Sequence, residues 1–145
     1  MSWNNIPDDE RLHLWKNLRK DISSLQLNEQ MEAVAKFFSN IPYGSRSIDY
    51  YTPSEWPTPW EIIFRGKLCK SSISLLIFHT FSLLHIENAI ELQLIDDGED
   101  EYLLPVIANQ FVLNYELGKV NKCQDIATEI QILNTYTQQD IKIIK

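Results

Sequence analysis

The N-terminal third of the chain repeats its apolar positions with the period of an α-helix. After Pro7 and an acidic first turn, the apolar residues at helical spacing are Leu12, Trp15, Leu18 and Ile22. A second stretch follows a candidate cap at Asn28, and its apolar residues are Met31, Val34, Ala35 and Phe38. The pattern predicts two amphipathic helices, each packing one face on a core.

The middle of the chain contains the clearest helix punctuation. Thr58 to Glu61 reads Thr-Pro-Trp-Glu, a capping box with proline at the first helical position. Gly66 is well placed for the left-handed residue that ends this short helix. The segment from Cys69 to Leu84 is apolar nearly all round, which predicts a central helix surrounded by protein.

After Asn88 the period changes to two, which is typical of β-strands. Three runs, "IELQLI", "YLLPVI" and "FVLNY", predict three consecutive antiparallel strands. Pro105 has no N–H to donate, so the middle strand is expected to hold a bulge or to lie partly at an edge. The tail "DIATEIQILNTYT" suits a helix or a strand, and its β-branched content favours a strand.

These elements predict an α+β fold, in which N-terminal helices and a buried central helix pack on a small antiparallel sheet. We expect a single domain over residues 1–145. Its predicted parts are a helical part at 1–48, a helix-plus-sheet core at 49–120, and a C-terminal strand or helix at 121–145.

Composition and charge exclude several functional classes. The net charge is −7, and the clustered Lys and Arg that neutralise nucleic-acid phosphates are missing, so we expect no nucleic-acid partner. The longest apolar stretch, residues 73–86, is shorter than the roughly 20 residues that span a bilayer, so a soluble protein without a membrane partner is expected. No Walker loop, dinucleotide fingerprint or zinc-spaced cluster occurs, and neither a cofactor nor a metal is expected.

Cys69 is the candidate for nucleophilic chemistry. At the first turn of a helix, unpaired N–H groups and the positive end of the helix dipole favour a thiolate, and the neighbouring Lys70 acts in the same direction. A cysteine at the edge of a buried helix is, however, more often a small core residue than a nucleophile.

The order of these motifs resembles the bacterial transglutaminase-like cysteine peptidases. That family has "W-x-T-P-x-E", then "G-D-C-E-D-Y-A", a histidine that opens a strand, and a next strand that ends in "V-L-D-N". The resemblance covers about half of this chain, from Trp56 or a few residues before it to Tyr115. It implies a papain-like core with Cys69 as the nucleophile and Asn114 in the position of the acid, where asparagine can still orient an imidazole.

The histidine of that pattern is missing. Glu101 or Tyr102 stands at the expected base position, and Ser71 and Ser72 replace the acidic residues after the cysteine. Among the chain's three histidines, His79 and His85 follow Cys69 by about 15 and 24 Å along a helix, too far for a general base. His13 lies on the first helix and would need an unusual packing to approach Cys69.

Two further groups have a functional and a structural interpretation. Trp56 and Trp60 are candidate groove residues, although an aromatic pair before a core helix more often serves packing. The acidic run 96–101 lacks the order of calcium ligands found in EF-hands, and it is interpreted as a solvated hairpin tip.

A second resemblance extends over nearly the whole chain. The segments "LWKNLRKDI", "IDYYTPSEWPTPWEII", "SSISLLIFHT" and "FVLNYELG" resemble a small uncharacterised protein of tailed bacteriophages, marine ones especially. This resemblance implies a location in the host cytoplasm or in the virion, and it implies no activity.

The leading hypothesis from the sequence is a transglutaminase-like domain that has lost its catalytic base and binds protein. Two alternatives remain. One is an active cysteine amidase or peptidase with nucleophile Cys69 and an unorthodox base such as His13 or Glu101. The other is a purely structural virion component.

Overall fold

The protein is an α+β domain in which a central helix packs on one face of an antiparallel sheet. The structure is a computed structural model that describes residues 3–44, 48–66 and 68–141. The helices in the described residues are α1 (Asp8–Ile22), α2 (Leu27–Phe38), α3 (Pro59–Arg65), α4 (Lys70–Leu83) and the short α5 (Cys123–Ile126). Two 3₁₀ turns, Trp3–Asn5 and Pro53–Glu55, complete the helical elements of this part of the chain.

Five strands build one sheet in the order β4-β3-β2-β1-β5, with antiparallel pairing throughout. The strands are β1 (Ile90–Asp96), β2 (Glu101–Ile107), β3 (Phe111–Leu113), β4 (Val120–Lys122) and β5 (Gln131–Thr137). The predicted succession of three antiparallel strands is confirmed, as are the two N-terminal helices and the α+β class.

Helix α4 is the centre of the domain. Its residues 71–82 are all buried, and its apolar side chains share one core with α1, α2, α3 and one face of the sheet. Trp15 of α1 is fully buried, and its indole N–H donates to Thr80 Oγ1 of α4 at 2.9 Å. This bond satisfies the only polar group of a large core side chain and fixes α1 against α4.

The boundary between α3 and α4 follows the predicted punctuation. The Thr58 hydroxyl accepts from the Glu61 N–H at 3.2 Å, and the Glu61 carboxylate accepts from the Thr58 N–H at 3.1 Å. Gly66 ends α3 with φ +73°, in the region that favours glycine. The guanidinium of buried Arg11 donates to the carbonyls of Ile63 and Phe64. Carbonyls in the last turn of a helix have no partner within the helix, and Arg11 supplies one.

Three local predictions need correction. Helix α2 begins after Gln26 rather than at Asn28, because the Glu29 carboxylate accepts from the Gln26 N–H at 3.3 Å and closes an earlier first turn. The central helix begins at Lys70, and Cys69 caps it. In the C-terminal tail only 131–137 form the expected strand, since the short helix α5 precedes it.

Pro105 lies within β2, where β3 is too short to pair with it. β3 pairs only with Val106 and Ile107, so β2 has an unpaired side at Pro105. The Leu103 N–H, which points to the same side two residues earlier, donates to Ser71 Oγ instead of to a strand. The proline therefore costs no ladder hydrogen bond, and β2 lies partly at an edge, as expected.

Candidate functional site

Cys69 caps the N-terminus of α4 and is 3% exposed. Its Sγ accepts from the Ser72 N–H at 3.3 Å, and Ser72 Oγ accepts from the Cys69 N–H at 2.8 Å. The two side chains thus form a capping box that satisfies N–H groups at the start of the helix. The local sequence uses the thiol as a helix cap, in a position that water hardly reaches.

Asn114 follows β3 and lies against the first two turns of α4. Its amide Nδ2 donates to the Lys70 carbonyl at 3.0 Å and to Ser74 Oγ at 2.8 Å. Its backbone is left-handed, with φ +68°, a conformation that asparagine tolerates better than most residues. Both N–H groups of the amide therefore tie the end of β3 to the start of α4.

The two residues at the expected base position point in different directions. Side chains alternate along β2, and Leu103 packs with α4, so Glu101 belongs to the α4 face and Tyr102 to the opposite face. The Glu101 carboxylate lies 3.5 Å from the Tyr51 hydroxyl. The Tyr102 hydroxyl donates to Asp97 Oδ2 at 3.0 Å. Both polar groups contact residues outside α4.

Burial raises the pKa of the Tyr102 phenol above its ordinary value of 10, and the hydrogen bond to the Asp97 carboxylate raises it further. The phenol is consequently protonated at neutral pH. A protonated phenol cannot remove the proton of a thiol, so it cannot act as a general base at this pH.

Lys70 extends from the first residue of α4 across three neighbouring segments. Its Nζ lies 4.9 Å from the centroid of the Tyr102 ring and 5.7 Å from that of Tyr43, and it donates to the Tyr115 carbonyl at 3.4 Å. Burial lowers the pKa of Lys70, and the charge of Asp97 opposes this effect. The ammonium group is thus held among tyrosines beside the start of the helix.

The serines after Cys69 connect the helix to the sheet. Ser71 Oγ accepts from the Leu103 N–H of β2 at 3.0 Å, and Ser74 Oγ binds Asn114. From the sequence, Ser71 and Ser72 stand out only because they replace the acidic residues of the resembled family, and their contacts with other elements are not predicted. Hydroxyls on consecutive turns of an otherwise apolar helix are a usable signal, because buried hydroxyls need partners in the neighbouring elements.

The histidines lie in three different settings. His13 is exposed on α1, and His85 is exposed after α4 with φ +54°. His79 is buried within α4, its Nδ1 has no hydrogen-bond partner, and burial lowers its pKa to about 4. His79 is therefore a neutral core histidine at neutral pH, on the third turn of the helix.

Trp56 and Trp60 pack at two separate places. The Trp56 ring meets the ring of Tyr136 edge-to-face at 5.1 Å, and its indole N–H donates to the Asp49 carbonyl at 2.6 Å. The Trp60 ring meets the ring of Trp15 at 5.8 Å. Each tryptophan therefore has its own aromatic partner in the fold.

The acidic run forms the tip of the β1–β2 hairpin. Asp97 Oδ1 accepts from the N–H groups of Glu99 and Asp100 at 2.9 and 2.8 Å, which closes the turn.

Among the described residues, no group of three or more His, Cys, Asp or Glu side chains is arranged to hold a metal ion. None of the helices in the described ranges is long and apolar enough to cross a membrane.

The fold has close counterparts among solved structures of LapG from Legionella pneumophila. One LapG structure has a TM-score of 0.75 at 15% identity and covers 90% of this chain and 76% of LapG. LapG is a transglutaminase-like cysteine peptidase. The fold is transglutaminase-like.

Two further LapG structures share this transglutaminase-like core. The calcium-bound form has a TM-score of 0.73 at 14% identity, with 88% of this chain and 75% of LapG covered. The EGTA-treated form has a TM-score of 0.75 at 15% identity, with 90% and 74% covered. No protein-family model and no curated protein matches the sequence.

Two of the predicted site residues, Cys69 and Asn114, both lie at the start of α4. Cys69 caps α4, and the Asn114 amide donates to the carbonyl of Lys70, the first residue of the helix. The Lys70 side chain reaches the Tyr102 ring. The catalytic roles of Cys69 and Asn114 stay predictions. The described contacts hold the first turn of the helix against the sheet.

Proposed function

We propose that the protein is a non-catalytic transglutaminase-like domain that acts by binding another protein. The observation that carries the proposal is the base position. Where the resemblance implies a histidine, the chain has Glu101 or Tyr102, and the polar groups of these two residues contact Tyr51 and Asp97. A transglutaminase-like core is kept while the group that would activate the thiol is replaced.

Neither replacement suits general-base catalysis at neutral pH. A phenol with a raised pKa is protonated there, and carboxylates as a class are weaker bases than imidazole. Losing the general base forfeits roughly 10²- to 10⁴-fold in rate. A rate loss of this size would leave little peptidase activity, so binding is the function that remains.

The surroundings of the thiol support the same proposal. Cys69 is 3% exposed, so a peptide carbonyl has little access to its Sγ. Asn114 uses both amide N–H groups to hold α4 against β3. The residues that would form a catalytic triad thus contribute to the stability of the fold.

The partner class follows from charge and from the phage resemblance. With a net charge of −7, the protein is better suited to a basic protein surface than to an acidic one or to a nucleic acid. The resemblance to a tailed-phage protein supports a role in virion assembly or against a host factor. The corresponding location is the virion or the host cytoplasm.

A hydrolysis assay tests whether the domain is catalytic. Purified protein is incubated with peptide and isopeptide substrate libraries, beside Cys69→Ala and Glu101→Gln variants and a Cys123→Ala control. We expect the four proteins to give the same background turnover. Turnover by the wild type and by Cys123→Ala that is lost in Cys69→Ala would establish a cysteine amidase or peptidase and end the proposal.

A second experiment tests the partner. Crosslinking of phage-infected cells, followed by mass spectrometry of the crosslinked peptides, should identify one protein that is repeatedly linked to this chain. Mass spectrometry of purified virions then separates two roles. A fixed copy number in the particle indicates a virion component, and absence from the particle indicates an intracellular partner.

A further inference from the structure

Two adjoining cavities lie on the face of the sheet that is turned away from α4. The inner cavity has a volume of about 280 Å³ and lies between the sheet and the segment around α5. Its walls include Val106, Val112, Ile126 and Ile130. The described residues that line this cavity do not include Cys69, Asn114 or Tyr102, so it is distinct from the candidate active site.

The outer cavity has a volume of about 250 Å³ and shares Asn109 and Cys123 with the inner one. Its other walls are mostly polar, with Gln110, Lys122 and Gln124 among them. The shared residues place the two cavities side by side, one mostly apolar and one lined by both polar groups and the Phe111 ring. Cys123 lies at the boundary between them.

The lining carries almost no charge. No residue that lines the inner cavity has an ionised side chain at neutral pH, since burial raises the pKa of the Cys123 thiol. Lys122 is the one charged residue among the described residues that line the outer cavity, and its side chain is exposed, so water and salt screen its charge. This arrangement favours neither a cationic nor an anionic ligand.

We propose that the two cavities form one binding site for a small neutral amphiphile. An alkyl or aryl tail would fill the inner cavity, and an uncharged polar head would bind the amide groups of the outer cavity. A cavity of about 150 Å³ lined by apolar side chains already binds benzene. The inner cavity has room for a larger tail, and the side-chain amides of Asn109, Gln110 and Gln124 both donate and accept hydrogen bonds.

The test is a titration of the full chain with 1-octanol, followed by the methyl NMR signals of Val106, Val112, Ile126 and Ile130. Ala127→Phe places a ring at the wall of the inner cavity, and Thr128→Phe adds the same ring at the next residue, which does not line it. Both positions are exposed, so neither ring has to enter the core. The signals of Leu76 and Ile77 report whether each variant keeps its fold.

We expect saturable shifts at the four cavity residues in the wild type and in Thr128→Phe, with affinity at least tenfold weaker in Ala127→Phe. Octanoate and octylamine should bind at least threefold more weakly than 1-octanol. Absent or non-saturable shifts, or equal binding by Ala127→Phe, would overturn the site. If Ala127→Phe does not fold, Ile130→Ala replaces it. This variant enlarges the inner cavity, so 1-decanol should gain affinity relative to 1-octanol, and an unchanged preference would overturn the site.

Discussion

The Tyr102 hydroxyl donates a hydrogen bond to the Asp97 carboxylate at 3.0 Å, across the hairpin that joins β1 to β2. The same carboxylate accepts the N–H groups of Glu99 and Asp100. Asp97 is therefore fixed by its own turn, and it in turn fixes the phenol. The tyrosine at the expected base position is held by the hairpin and not by the thiol.

Replacing Tyr102 with Phe tests how this contact is organised. The N–H groups of Glu99 and Asp100 are the main causes that lower the pKa of Asp97, and the Tyr102 hydroxyl adds a smaller contribution. In Tyr102→Phe the pKa of Asp97 should rise slightly and stay below its ordinary value. A carboxyl NMR titration measures this change. A rise to the ordinary value or above it would show that the hairpin does not organise the carboxylate.

His79 predicts a loss of stability in acid. Its pKa is about 4 in the folded protein against about 6.5 when unfolded, so the unfolded state binds the proton first as the pH falls. The unfolding free energy is therefore unaffected by protonation of His79 above pH 6.5 and falls as the pH drops from 6.5 to 4. Below pH 4 the total loss is about 3 kcal/mol. Urea unfolding at several pH values measures this loss.

The control for that experiment is His79→Phe, which removes the titrating group and keeps a ring in the core. The variant should have a flatter dependence of unfolding free energy on pH between 6.5 and 4. An unchanged slope would assign the acid sensitivity to other groups.

The start of α3 and the turn after it predict two stability changes of different size. Thr58→Ala removes a helix cap and should cost about 1 kcal/mol. Gly66→Val should cost about 2 kcal/mol or more, because φ is +73° and a Cβ would lie 3.2 Å from the Arg11 guanidinium. Chemical denaturation measures both, with Ser54→Ala on an exposed turn as the control. Equal stability of the two variants would contradict this account of the helix boundary.

Asn114 predicts a difference between two small substitutions. Asn114→Ala removes two hydrogen bonds to α4 and places alanine at φ +68°, so a loss of about 1–3 kcal/mol is expected. Asn114→Gly removes the same bonds but tolerates the left-handed backbone, and it should cost less. Thermal unfolding compares the two. A glycine variant less stable than the alanine variant would refute the proposed role of the backbone.

Local signals in the sequence were enough for much of the fold. The Thr58–Glu61 box, Gly66 and the alternation around Leu92 and Leu94 depend on neighbouring residues, and the structure confirms them. The start of α2 was missed because glutamine is not among the preferred cap residues, and the cap at Gln26 is part of a capping box with Glu29.

The site was predictable only in part, because its contacts join residues that are distant in the chain. The sequence indicated Cys69 at a helix start and Asn114 after a strand, but not that Asn114 binds the carbonyl of Lys70, 44 residues away. It also gave no direction for the Lys70 side chain, which reaches tyrosines on other segments. The cavities behind the sheet depend on α5 and β4, two short elements with no periodic signal.

The central claim is that Cys69 is a buried helix cap and not an activated nucleophile. Its most direct test is the site-resolved rate of alkylation of Cys69 against pH, with Cys123 and the denatured protein as references. The account predicts that Cys69, at 3% exposure, reacts at a rate near zero until the protein unfolds, whereas half-buried Cys123 reacts measurably in the folded state. Fast alkylation of Cys69 in the folded protein at neutral pH would contradict it and would identify an open, activated thiol.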